Sequence, residues 1–309
     1  MAAPLLVPGS LDPVSALRRA HTVVRHRAAM ALQSRVAGAE AGERADRIWG
    51  SAGERWFSPA DPIWQVHLDA AMFVGGLRAL LLQSLHPLAM AGVSDHSGYR
   101  GDPWGRLQRT SNFISTTTFG TVEDAERLLA RIRGIHRRVR GSAPDGRGYR
   151  ADDPHLLSWV HAAEADSFLE CHTRYGAQPL SAADADVYVA QIGSIAARLG
   201  VPEPPSTVRG LREVLASYEP ELEGSDLARD AARFVMFEPP MPVAVRPGYA
   251  LLVSGAVASL PSPARAMLGI RLPPGGPTVL NAGGRAGAAA VRWMLSDPPV
   301  QRARSLRAG

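Results

Sequence analysis

Lysine is missing altogether from the 309 residues. Arginine therefore supplies all 34 permanently cationic side chains, against 29 acids, for a net charge of +5. Any cation acting inside this protein is a guanidinium, which is always charged and a poor proton donor. The arginines are scattered rather than gathered into a stripe with interleaved aromatics, which argues against nucleic acid as a partner. Cysteine occurs once, at Cys171, so an intramolecular disulfide and a cysteine-rich metal site are both excluded. No apolar run reaches the roughly 20 residues that span a bilayer. "AAMFVGGLRALLLQSL" is interrupted by Arg78, and "YALLVSGAVASL" is too short. The N-terminal stretch lacks the charged start, apolar run and small-residue site of a signal peptide, so a cytoplasmic location is expected. Strand alternation and internal repeats are absent as well. Glycines in "GDPWGRLQ" and "GPTVLNAGGRAG" follow no strand, and no Gly-x-Ser-x-Gly elbow occurs, which removes the phosphate-loop and hydrolase readings.

What is present is helical. With 46% hydrophobic residues the chain can enclose a core and a buried ligand. Helical periodicity and stop signals predict helices near 64–85, 103–118, 122–140, 154–175, 181–199, 206–217 and 225–237. The expectation is one all-α domain over 1–309, with a core at about 60–240. A basic N-terminal helix at 12–37 and a proline-rich helical extension at 238–309 flank that core. The basic helix reads as a surface helix, with weak contact to a membrane surface or a partner as the alternative.

Two helical faces carry the chemistry. Advancing about 100° per residue, Val122, Ala125, Leu128, Leu129, Ile132, Ile135 and Val139 share one arc, and His136 falls inside it. An inward histidine must have its ring nitrogens satisfied, by a carbonyl or carboxylate or by a metal or haem iron; on the residues alone both stay open. Leu129, Ile132 and Ile135 beside it form the kind of apolar wall a porphyrin packs on. On the preceding helix, Arg106, Arg109, Thr110, Phe113 and Thr117 follow helical spacing and share a face that Phe113 directs inward. Arginines at the edge of an apolar cavity would pair with carboxylates, haem propionates among them, or polarise bound dioxygen.

"HAAEADSFLECH" puts His161 and Glu164 three residues apart on a third helix, in reach of a shared metal. It lacks the repeated Glu-x-x-His of di-iron bundles, which leaves a non-haem di-iron centre as a lesser alternative. His86 and His96 show no standard ligand spacing, and Cys171 has none of the surroundings of a thiolate ligand.

The order of four motifs is similar to the MpaB and rubber-oxygenase (latex-clearing-protein-like) family. They are His86-Pro87, then Arg106-Leu-Gln-Arg109-Thr110, then His136-Arg-Arg-Val139-Arg-Gly141, then Tyr149-Arg-Ala151-Asp-Asp153-Pro154. The resemblance implies a globin-like helical fold enclosing haem b and an oxidation that uses dioxygen. His136 would be the proximal iron ligand, with Arg106 and Thr110 in the distal pocket. Phe113, Leu129, Ile132 and His161 are the expected cofactor-binding residues, and Arg109 completes the expected catalytic set. Rubber oxygenases carry a lysine where this chain has Arg109. A guanidinium does not take that lysine's place on iron, which argues against rubber cleavage and for a small apolar substrate, isoprenoid or secondary metabolite. Without a flavin or ferredoxin-like segment, an external donor would supply any electrons. A non-catalytic haem sensor or carrier is the alternative function.

Overall fold

Prolines and short polar side chains set where the helices begin. In the computed structural model, which describes residues 41–295 apart from Tyr99 together with Arg25, Ala29, Arg35, Val36 and Gly38, the helices are α1 (Ala41–Gly50), α2 (Pro62–Leu68), α3 (Ala71–Gln83), α4 (Pro87–His96), α5 (Pro103–Phe119), α6 (Val122–His136), α7 (Pro154–Tyr175), α8 (Ala182–Leu199), α9 (Val208–Ser217), α10 (Asp226–Phe237), α11 (Arg246–Ser259), α12 (Ser262–Met267) and α13 (Gly276–Leu295). Asp102, Thr121, Asp153, Ser181, Thr207 and Ser225 each accept a backbone N–H at a helix start. These contacts satisfy donors that a helix leaves orphaned. Most of the predicted helix at 12–37 lies outside the described residues; Arg25, Ala29, Arg35 and Val36 within it are helical. The Arg35 guanidinium stacks on Trp104 with 5.1 Å to the ring centroid.

Helices α1 and α4 are ones the periodicity did not single out, and the structure departs from the sequence reading in three further places. The apolar helix expected over 64–85 is two helices, α2 and α3, meeting at 88°. Asp69 makes the break: its carboxylate accepts from Ala71 N at 2.7 Å and Ala177 N at 2.9 Å, and it pairs with Arg292 at 2.9 Å. A buried carboxylate needs that many partners, and a continuous helix would deny it the first. Next, α6 ends at His136 rather than running to Gly141. The following residues form a hairpin, β1 (Arg140–Ser142) with β2 (Gly148–Arg150), antiparallel with Gly141 opposite Tyr149. A β-carbon on Gly141 would lie 2.4 Å from the Tyr149 hydroxyl, so only glycine lets that ring lie across the strand. The hydroxyl donates to Asp95 on α4 at 2.6 Å, a tertiary anchor that overrides the helical tendency of 137–140. That hairpin is itself the third departure, since no strand is legible in the sequence.

Two apolar cores meet along α7. Trp159, Ala163, Cys171 and Tyr175 face a core shared with Val74 and Leu81 of α3, Val253 and Ala256 of α11, and Ala288 of α13. Ala162, Ala165, Phe168 and Leu169 face the other, with Ile63, Trp64, Phe119, Leu129, Tyr188 and Leu211. A helix apolar on both sides is a central one. The helices after 238 thus complete the first core. Among the described residues no single helix is long and apolar enough to cross a membrane.

Candidate functional site

The second core holds two of the expected site residues, Leu129 and Phe113. Leu129 is fully buried in it, and Phe113 packs against it. Ile132, one turn beyond Leu129, is half-buried. His136 is the last residue of α6, half-buried, on the same face as Leu129 by its seven-residue spacing. Its Nδ1 is enclosed and has no hydrogen-bond partner. Burial holds its pKa below the ordinary value, against the raising pull of the Asp152 carboxylate, so the neutral ring is favoured.

On α7, His161 and Glu164 share a face with Ala165 and Phe168, which line the same core. His161 is buried, its Nε2 has no partner, and desolvation lowers its pKa to about 4. Desolvation pushes the Glu164 carboxyl up to about 7. Sequence reading missed their polar neighbours. The ring of His67 is held by the Thr118 hydroxyl at 2.8 Å and lies 3.4 Å from the Tyr188 hydroxyl. Burial, with the nearby His172 adding to it, lowers the His67 pKa to about 3. The Tyr188 phenol is raised by desolvation and then by the charge of Glu164, which sets Glu164 in the same surroundings. The faint signal for His67 was its place inside "PIWQVHL", between core residues Val66 and Leu68.

The arginine and hydroxyl face of α5 divides. Arg106 is half-buried and its Nη1 donates to the Ser97 hydroxyl at 3.3 Å, while Thr117 is buried and donates to the Phe113 carbonyl at 2.7 Å. Arg109 and Thr110 are exposed, and Arg109 pairs with Asp102 at 3.2 Å. The inward strip is therefore Arg106, Phe113 and Thr117, narrower than the spacing alone suggested. An open hollow lined by Arg265, Ile270, Arg271 and Pro273 lies at the other core's edge and contains none of these imidazoles.

A second polar cluster forms where the sequence showed no ligand spacing. His86, at the start of α4, meets His155 from the first turn of α7 and Glu221 from a short 3-10 turn (Glu219–Glu221).

The catalytic-domain family described as ER-bound oxygenase mpaB/B'/Rubber oxygenase matches residues 64–293, and the chain belongs to it. It is thereby a member of an oxygenase family, and the matched segment takes in α11 and α12 and all but the end of α13. No curated relative and no solved structure matches the chain.

Proposed function

We propose that the chain is a haem b-dependent oxygenase with a globin-like helical pocket, acting on a small apolar substrate of isoprenoid or secondary-metabolite type with dioxygen as co-substrate. The observation that carries this reading is His136, a neutral imidazole with an enclosed, unpartnered nitrogen, on the Leu129 face of α6 in a member of an oxygenase family. Unpaired buried ring nitrogens are costly, and neutral imidazole is the form that ligates iron. His161 offers a second such ring near the same core. These residues fit the group.

His136 would hold the iron, and Phe113, Leu129, Ile132 and His161 would line the site of the group. Bound haem would supply the iron centre at which dioxygen oxidises the substrate. The chain's own residues do the rest. Phe113 and Leu129 exclude water from the apolar side. Arg106, steadied by Ser97, offers a half-buried guanidinium to a propionate or to a polarised oxygen. Arg109 and Thr110 lie on the exposed side of α5, where Arg109 balances Asp102. The Glu164 carboxyl, raised by desolvation to about 7, would give or take a proton beside this core.

The test is oxygen uptake by the haem-supplied protein with a panel of apolar compounds, read together with mass analysis of products formed under labelled dioxygen. Uptake coupled to labelled product is expected. Stoichiometric haem with no uptake across the panel would instead make the protein a carrier or sensor.

A further inference from the structure

The cluster of His86, His155 and Glu221 is independent of the haem reading. His86 precedes Pro87, which holds its backbone extended at φ −88° and ψ 114°, and its side chain is 1% exposed. Both of its ring nitrogens lack a hydrogen-bond partner. Its Nε2 lies 3.4 Å from a Glu221 oxygen, in ion-pair range. The same carboxylate receives His155 Nε2 at 2.9 Å and 3.0 Å from its two oxygens. One carboxylate thus stands between two imidazoles, and the three donor atoms lie within 4.8 Å of one another.

We propose that His86 Nε2, His155 Nε2 and a Glu221 oxygen bind one divalent transition-metal ion, with Zn2+ the ion that two imidazoles and one carboxylate fit best and a fourth position open to water. Tetrahedral bonds of about 2.0–2.1 Å separate neighbouring ligand atoms by about 3.3 Å. His86 Nε2 and a Glu221 oxygen already stand at about that spacing, 3.4 Å apart, while His155 Nε2 lies 2.9 Å from Glu221 on a half-exposed ring that is free to adjust. Side chains of His155 and Glu221 are 53% and 42% exposed, so an ion has a way in. Three cross-links hold the parts in place. Trp159 Nε1, on the His155 face of α7, donates to the Gln83 carbonyl at 3.2 Å. Tyr218 Oη donates to the His155 carbonyl at 2.7 Å, and Glu223 N donates to the Leu85 carbonyl at 2.9 Å. Tyr218 also covers the His155 ring at 4.6 Å between centroids. A site so fixed before an ion arrives loses little freedom in binding it.

The experiment uses the full chain without a tag, treated with chelator and titrated with Zn2+ by calorimetry and with Co2+ by visible absorption. One equivalent of Zn2+ should bind at the site, and Co2+ should develop the intense visible bands of a low-coordinate nitrogen and oxygen site. Mg2+ and Ca2+ should not compete, because they prefer all-oxygen shells. His155→Ala and Glu221→Gln, both at exposed positions and checked for folding by circular dichroism, should each weaken Zn2+ by more than about 100-fold, the upper end of what losing an outer-shell partner costs a metal site. Neither variant should alter the visible spectrum of bound haem, which separates this result from the fate of the oxygenase reading. Absence of saturable Zn2+ binding, or Zn2+ affinity that both variants leave unchanged, overturns the proposal.

Discussion

At the scale of single residues the protein is governed by what burial does to ionisable groups. Glu164 sits in surroundings that raise its carboxyl to about 7, whereas an unfolded chain would release that proton near 4.5. Between those values the folded state holds a proton the unfolded state has lost, so stability falls as pH rises through that window and then levels off. Glu164→Gln should therefore melt higher than the parent at pH 8 and nearly level with it at pH 5; equal melting temperatures at both would show that the carboxyl is not desolvated. His67 and His161 work in the opposite sense. Their folded values of about 3 and about 4 lie below the ordinary 6.5, so the unfolded chain gains protons first and stability is lost as pH falls below 6.5. An acid melting series should show that loss, with the steepest part between pH 6.5 and 4. Of these groups, sequence singled out His161 and noted Glu164 through helical spacing. It passed over His67, because a lone histidine among apolar residues looks like any core position until a partner such as Thr118 is seen 51 residues away.

At the scale of elements, helix starts were legible and helix ends less so. Asp102, Thr121, Ser181 and Ser225 announce starts through short polar side chains that compete for the first N–H groups. The break at Asp69 and the early end of α6 depend instead on Arg292 and Asp95, remote residues that no local pattern contains. The same holds for the seam between α11 and α13. There a β-carbon on Gly284 would come within 2.5 Å of the Gly255 backbone and 2.9 Å of the Tyr175 ring. Gly284→Ala should cost about 1–3 kcal/mol, the range for overpacking a filled site, and lower the melting temperature by several degrees. A variant melting with the parent would mean the two helices do not approach so closely. For α5 the helical spacing predicted too wide an inward face: Arg109 and Thr110 are exposed, and the cap residue Asp102 draws Arg109 toward the helix start.

For the whole molecule, the all-α architecture follows from composition and the missing strand alternation, and family membership follows from the order of four motifs. The way α7 divides two cores does not, since an apolar helix on both sides carries no preferred direction in its sequence. That division gives the proposed haem site one core of its own and leaves His86, His155 and Glu221 as a separate cluster. The central claim is that His136 anchors a haem. It is tested most directly by the visible absorption of the protein produced with haem supplied, compared with that of His136→Ala. A Soret band at one haem per chain is expected for the parent, and its loss, or a marked shift with weakened retention, in the variant. A parent without a Soret band, or a variant whose spectrum and haem content match the parent's, would contradict it.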